Sequence, residues 1–461
     1  MKPMRPRTSE LGGFTDHTLL PIDGTMDQPS STELNPPAQP TAPIDDGISQ
    51  RGRQAAGQPI SKLMSLALDN PSLISLAAGF VDKGSLPQVP TQQALSTFMD
   101  DPDASRTALQ YGTTFGHTEL REILLAEARE DGATNVSIDQ LLITAGSNQL
   151  LHILAESILD PGDIVLCAAP TYFVFLGTLA GVGAEAWGVE TDAQGMIPES
   201  LMDTWQELNK RDLARRVKAI YIVPYFDNPR GVSMPAERRQ KVVELADRWS
   251  SDVGHRISVI SDEAYRGLQY EGDSVPSTLV HDEDGSSVVV AGTFSKVFSP
   301  GIRVGWGIIP KHLVTPMCDL KGNIDFGSPN FSQHLMAEVL SQGLLAPHVE
   351  SLKQTYREKR AAMLAAAEEF LGPLAEVEWD RPHGGLYVWL RLPEMVDAGP
   401  DGSLLQRAQD LGVLYVPGQY CFAANGAKVQ RNTMRLSFGV QSCENIREGI
   451  RLLAEAIRSV A

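Results

Sequence analysis

Ile257-Ser-Val-Ile-Ser-Asp-Glu-Ala-Tyr265 is a short apolar run that stops abruptly at two carboxylates and a tyrosine. Similar runs occur on both sides of it: Gln140-Leu-Leu-Ile-Thr144, Asp163-Ile-Val-Leu-Cys-Ala168, Ala219-Ile-Tyr-Ile-Val-Pro224, Ser287-Val-Val-Val-Ala291 and Val304-Gly-Trp-Gly-Ile-Ile309. A strand with one wet face alternates apolar and polar residues, whereas a continuous apolar run belongs to a strand covered on both faces. Helical patterns separate the runs, with apolar residues at i, i+3 and i+4 across Asn148–Leu159, Ala236–Ser250 and Val349–Phe370. Strand and helix in alternation predict an α/β fold: a mainly parallel sheet in a three-layer αβα sandwich. After Gly372 the runs shorten, as in Gly385-Leu-Tyr-Val-Trp-Leu390 and Thr433-Met-Arg-Leu-Ser-Phe438, which predicts a smaller α+β domain.

Working outward, the chain divides into an arm and a body. Residues 1–46 form a proline-rich arm expected to be disordered: the first 50 residues hold eight of the 30 prolines and one aromatic, Phe14. Residues 47–90 are expected to start the small domain, 91–335 to form the large cofactor-binding domain, and 336–461 to complete the small one. The 461 residues carry 39 Lys+Arg against 57 Asp+Glu, a net charge of -18. So acidic a body repels phosphate backbones, which argues against nucleic acid as a partner. Four cysteines without a CxxC give neither a disulfide scaffold nor a zinc pattern, and nine histidines show no HExxH. No run of about 18 apolar residues exists to span a membrane. Nor does Met1-Lys-Pro-Met-Arg-Pro read as a signal peptide, so a cytoplasmic protein is expected.

In open parallel sheets, ligands bind beyond the carboxyl ends of the strands. There the sequence sets Asp227-Asn-Pro-Arg-Gly231, Asp262-Glu-Ala-Tyr265, Gly292-Thr-Phe-Ser-Lys296 and Ala145-Gly-Ser-Asn148. A lysine at one strand end, with an aspartate, a tyrosine and an asparagine on its neighbours, suits pyridoxal 5'-phosphate. The amine can form a Schiff base with the cofactor aldehyde. A carboxylate beside the ring nitrogen keeps that nitrogen protonated, so the ring can draw electrons from the substrate α-carbon. Arg303, seven positions after Lys296, can pair with a phosphate, and Gly146-Ser147-Asn148 at a helix start offers free N–H groups to it. Singly, each residue has a plainer reading: a surface lysine, Asp262 as a helix cap, Asn228-Pro-Arg-Gly231 as a turn, Ser147 and Asn148 as caps, Arg435 in a surface ion pair.

From about residue 48 onward the chain resembles fold-type I pyridoxal-phosphate aminotransferases of class I/II. The resemblance rests on an ordered series: Ser75-Leu-Ala-Ala-Gly79, Tyr111-Gly-Thr-Thr-Phe-Gly116 with Glu119-Leu-Arg121, Thr144-Ala-Gly-Ser-Asn-Gln149, Pro170-Thr-Tyr172, Asn228-Pro-Arg-Gly231, Asp262-Glu-Ala-Tyr265, Ser295-Lys296 and Met434-Arg-Leu-Ser-Phe438. Ser295-Lys-Val-Phe-Ser-Pro-Gly-Ile-Arg303 is similar to the branch of 2-aminoadipate and kynurenine aminotransferases and the aminotransferase-like domains of MocR regulators.

This resemblance implies a homodimeric aminotransferase moving an amino group between an L-amino acid and a 2-oxo acid. It implies Lys296 as the Schiff-base lysine and proton shuttle, with Asp262 at the pyridine nitrogen. Tyr265 and Asn228 would bond the phenolic oxygen O3′, and Tyr172 would stack on the ring. Ser147, Asn148, Ser295 and Arg303 would hold the phosphate, joined by Tyr111 from the other subunit. Arg435 would clamp the substrate α-carboxylate with help from Asn228 and the backbone at Gly79. Asn148 stands where the family commonly has glutamine. Asp227 and Arg230 replace the usual Gln or Thr near the asparagine turn, leaving Asp227 either near O3′ or facing solvent. A β-lyase, decarboxylase or oxidase outcome is the enzymatic alternative. A MocR-like regulatory domain is the non-catalytic one, against which the acidic, proline-rich arm counts.

Overall fold

The computed structural model describes residues 46–55, 66, 70 and 72–460, so the expected arm lies outside the described residues except for Asp46. The elements below belong to the unit that begins at Ser49. Its centre is a nine-stranded sheet. Across it the strands run Asn425–Gly426, Glu185–Asp192, Ile164–Ala169, Val217–Ile222, Ser258–Asp262, Val288–Thr293, Gly305–Ile308 and Leu141–Thr144, with Gly195–Met196 paired to Glu185–Asp192. The pairings from Asn425–Gly426 to Val288–Thr293 are parallel, while Gly305–Ile308 runs antiparallel to both its neighbours.

The reason for the apolar runs is visible in the packing. Along each central strand, alternate residues enter two different cores: Val165, Cys167, Ala219, Tyr221 and Ile260 join one. Ile164, Leu166, Ile220, Ile222 and Val259 join the other. One core is roofed by Ser147–Ile158, Phe173–Gly181, Lys311–Asp325 and Leu345–Ala366, the other by Thr118–Glu130, Pro198–Lys210, Ala236–Val253 and Asn330–Ser341. Burial on both faces removes any use for polar residues at alternate positions. The fold is therefore the expected three-layer α/β sandwich.

A second, four-stranded sheet has the order Glu378–Trp379, Tyr387–Arg391, Thr433–Ser437, Val416–Pro417, antiparallel throughout. Ile74–Ser75 pairs in parallel with Val413–Leu414, joining the front of the chain to its last third. The divisions expected at 90/91 and 335/336 fall inside the helices Gln88–Met99 and Asn330–Ser341, whose hydrogen bonding is continuous through both points. These two helices meet through Phe98 and Phe331, ring centroids 5.5 Å apart. The strand Glu185–Asp192 had no counterpart among the apolar runs. It is partly exposed near the sheet edge and keeps polar residues at Glu185, Glu190, Thr191 and Asp192.

Candidate active site

The carboxyl ends of the parallel strands form one rim, and the antiparallel strand begins where the others end. Gly305 pairs with Thr293 on one side and Thr144 on the other. That reversal brings Arg303, two residues before the strand, to the same rim as Lys296 and Ser147. The rim opens into a cavity of about 340 Å³. Its lining includes Gly79, Ser147, Asn148, Tyr172, Asn228, Asp262, Tyr265, Ser295, Lys296, Arg303 and Arg435. Every expected site residue but Tyr111 is thus brought together. Tyr111 is 83% exposed, with its ring 6.3 Å from that of Phe326.

Asp262 ends its strand with a buried carboxylate that accepts from the Tyr221 hydroxyl at 2.9 Å and the Ala264 N–H at 3.2 Å. Burial raises it to about 6, against the pull of these two hydrogen bonds and of Lys296. Lys296 donates from Nζ to the Gly79 carbonyl at 2.9 Å and lies 5.8 Å from the centroid of the Tyr265 ring. Tyr265 meets a second phenol, its hydroxyl 3.1 Å from that of Tyr387.

Arg435 is buried on the strand Thr433–Ser437. Its Nη1 donates to Asn228 Oδ1 at 2.8 Å and its Nη2 to the Ala77 carbonyl at 2.7 Å. Its Nε, buried, has no hydrogen-bond partner among the described residues. Because the Asn228 oxygen is engaged by Arg435, the NH2 end of that amide is the donor left for a ligand. The guanidinium lies 4.3 Å from the Tyr387 ring centroid and 5.6 Å from that of Phe173.

At the other end of the cavity, Arg303 adopts a left-handed backbone (φ 52°) and donates to the carbonyls of Ala145 at 3.0 Å and Pro300 at 3.2 Å. Beside it, Gly146 has φ 84°, and a Cβ there would come within 2.6 Å of Arg303 Nη2. Gly146 itself caps the helix Ser147–Ile158, and neither Ser147 nor Asn148 makes a side-chain cap bond. Asn148 instead accepts from the Tyr172 hydroxyl at 3.4 Å. Ser295 and Thr293 share a hydroxyl contact of 2.9 Å. A helix start, an arginine and hydroxyls around a backbone with no room for a side chain are the donors that a phosphate group would need. With a buried carboxylate and a lysine further in, the donor set fits a phosphorylated pyridine aldehyde.

Asp227 takes neither position open to it. It is buried, outside the lining of the main cavity, and accepts from the Val232 N–H at 2.9 Å across the turn. Burial raises it to about 7. Arg230 reaches Asp380 with two hydrogen bonds of 2.8 and 3.0 Å, tying the asparagine turn to the four-stranded sheet. Outside the cavity lining, Arg51 pairs with Glu156. Tyr221 and Tyr387 were not singled out from the sequence. Tyr387 opens a strand just after a Gly-Gly turn, on the same sheet face as Arg435, and that alternation was the available signal.

Residues 71–453 match the family model for aminotransferase class I and II. The aromatic-amino-acid aminotransferase 1 of Thermococcus litoralis is 34% identical over 419 residues, 91% of this chain and 96% of that one. The crystal structure of a kynurenine aminotransferase from Pyrococcus horikoshii, in complex with PMP, superposes with a TM-score of 0.81 at 33% identity, covering 90% of this chain and 97% of that one. LysN, an α-aminoadipate aminotransferase from Thermus thermophilus complexed with N-(5'-phosphopyridoxyl)-L-leucine, gives 0.76 at 28% identity, over 90% of this chain and 97% of that one. Among the described residues, no helix is long and apolar enough to cross a membrane. With the strand-end cavity and its donor set, these likenesses identify the chain as a pyridoxal-phosphate-dependent enzyme that moves an amino group between an amino acid and a 2-oxo acid, and it belongs to the class I and II aminotransferases.

Proposed function

We propose that this transaminase acts on amino acids with apolar or aromatic side chains, using the cavity residues as follows. Pyridoxal 5'-phosphate, when bound, supplies an electron-withdrawing ring that makes the substrate α-proton removable. Lys296 binds the cofactor aldehyde and then carries the proton to and from the substrate α-carbon. Asp262 holds the proton on the ring nitrogen, since an opposite charge at contact favours the charged form. Tyr265 and the NH2 group of Asn228 donate to O3′, and Tyr172 stacks on the ring. Ser147, Asn148, Ser295 and Arg303 hold the phosphate. Arg435 binds the α-carboxylate, helped by Asn228 and the Gly79 backbone.

Tyr111 is assigned to the phosphate of a second subunit: its large exposure and its absence from the cavity of its own chain suit a shared site in a homodimer. The small domain is taken to be built from residues 47–90 and 336–461 around a large domain of 91–335, with the helices Gln88–Met99 and Asn330–Ser341 bridging the two divisions, and the cytoplasm is taken as the compartment.

The observation that carries the substrate class is the rest of the lining. Once these residues are assigned, the described side chains that remain include Phe80, Phe173, Val174 and Val416, with no further cation. A side-chain carboxylate there would be desolvated without a partner. The test is a half-reaction screen, with amino acids added singly to the cofactor-loaded protein and 2-oxo acid release followed. Phenylalanine, tyrosine or leucine should react at least about tenfold faster than aspartate or glutamate. The reverse order would overturn the substrate class. A Lys296→Ala protein that still formed a borohydride-reducible adduct would overturn the lysine assignment.

A further inference from the structure

Tyr387 has a role that the aminotransferase roles above leave unfilled. Its ring is fixed on the strand Tyr387–Arg391, which pairs with Thr433–Ser437 so that Tyr387 opposes Ser437 and Trp389 opposes Arg435. Tyr387 and Arg435 are therefore diagonal neighbours on one face of the sheet. The Arg435 guanidinium lies 4.3 Å from the centre of the Tyr387 ring, and the Tyr387 hydroxyl lies 3.1 Å from that of Tyr265. Both phenols are buried, and among the described residues Tyr265 is the only hydrogen-bond partner of the Tyr387 hydroxyl. On its other side the hydroxyl is pressed against Gly79, where a Cβ would come within 2.9 Å of it.

Two hydroxyls in contact share one hydrogen, so the direction of the bond depends on what else each can reach. If Tyr265 gives its hydrogen to the cofactor's phenolic oxygen, its oxygen becomes an acceptor and Tyr387 must be the donor. We propose that Tyr387 is a positioning residue: held under Arg435, it donates to Tyr265 and so strengthens Tyr265 as the donor to O3′. Hydrogen bonds in such a chain polarise one another. The charged surroundings favour this direction. Arg435 and Lys296 are the cations facing Tyr387, while Tyr265, Tyr172, Tyr356 and Cys421 are its neutral acidic neighbours. Burial alone would raise the Tyr387 phenol, but the cations Arg435 and Lys296 pull it below its usual value, and Arg435 keeps its charge when Lys296 binds the cofactor. A more acidic phenol that remains neutral is the better donor.

The proposal rests on the assignment of Tyr265 to O3′, and the test separates the two. The pH titration of the bound cofactor's visible absorbance is measured in the holoenzyme for the parent, Tyr387→Phe, Tyr265→Phe and the double variant. A donor at O3′ favours its anionic form, so weakening that donor lets the protonated cofactor persist to higher pH. Tyr387→Phe keeps the ring beneath Arg435 and should move the midpoint upward by about 0.3 to 1 pH unit. Tyr265→Phe should move it further in the same direction, and the double variant should match Tyr265→Phe alone. If Tyr265→Phe shifts the midpoint and Tyr387→Phe does not, the relay is overturned while the Tyr265 assignment stands. A double variant that exceeds Tyr265→Phe by the full Tyr387 effect overturns the relay as well, because Tyr387 would then act independently. If neither single variant moves the midpoint, the Tyr265 assignment falls and takes the relay with it.

Discussion

Replacing Tyr221 with Phe removes one hydroxyl and leaves a ring that stays packed 4.1 Å from Phe175. That hydroxyl is one of two hydrogen-bond donors to the Asp262 carboxylate, which burial holds at about 6. A hydrogen bond to a charged group contributes about 1.5–3 kcal/mol, so its loss moves the Asp262 midpoint up by about one to two pH units. Only the ionised carboxylate can pair with the protonated ring nitrogen, so cofactor binding competes with protonation of Asp262. With the midpoint raised that far, the cofactor Kd of Tyr221→Phe should exceed the parent's by about 3- to 25-fold near pH 6.5 and match it near pH 9. The sign follows from the raised carboxyl, since the penalty lies below the new midpoint and vanishes above it. The assay is fluorescence or absorbance titration of cofactor-free protein with pyridoxal 5'-phosphate at several pH values. A Kd ratio that stays constant across pH would refute the reasoning, since it would mean the hydroxyl acts on cavity shape and not on the charge of Asp262.

Four further outcomes follow from the geometry. Arg435→Gln removes the charge-assisted clamp, about 2.7 kcal/mol, so kcat/KM for an amino acid should fall about a hundredfold while steady-state assays still find the cofactor absorbance intact. Gly146→Ala forces a left-handed alanine against Arg303, at about 1–2 kcal/mol or more, and should raise the cofactor Kd by about 5- to 30-fold or more in equilibrium titrations. Arg230→Ala leaves Asp380 and the buried Asp227 without their cation; because Asp380 keeps some solvent, we expect a loss of about 2–3 kcal/mol, read as a fall in Tm of roughly 3 °C. Asp227 is raised to about 7, so its contribution to stability is present below the carboxyl's ordinary value and lost as pH rises through about 7. Asp227→Asn should therefore flatten the pH–stability curve, gaining most on the parent near pH 8 and nothing near pH 4 in thermal unfolding of the cofactor-free protein.

The fold was legible where both faces of a strand are buried. Ile164–Ala169, Ser258–Asp262 and Val288–Thr293 show up as apolar runs because two cores draw on alternate residues of each. Glu185–Asp192 was not legible, because its partial exposure admits polar residues at the very positions that mark a strand elsewhere. Nor was the reversal of Gly305–Ile308, since an apolar run looks the same in either direction. A trace of it remains in the glycines of Gly305-Trp-Gly307: a Cβ at Gly305 would meet the Ser147 nitrogen at 2.5 Å, and one at Gly307 the Leu150 side chain at 2.6 Å. Residues that end strands, such as Asp262, could be read by position. Tyr221 could not, because an aromatic within a strand has the same pattern whether its hydroxyl is idle or bonded to a residue of the next strand, and for Tyr387 the alternation with Arg435 was the one trace.

The reversed strand also has a metric consequence. Thr293 and Gly305 are held opposite each other by the sheet, and the eleven residues between them carry both Lys296 and Arg303. The connection behaves as a caliper whose jaws are set by backbone pairing and whose two working points are the residues proposed above for the reactive end and the phosphate end of the cofactor. Lengthening or shortening it by even one residue would change the distance between those points without disturbing a single strand. Such a variant would keep its fold and lose its grip, and the length of this connection is the first dimension to preserve when the scaffold is redesigned for another substrate.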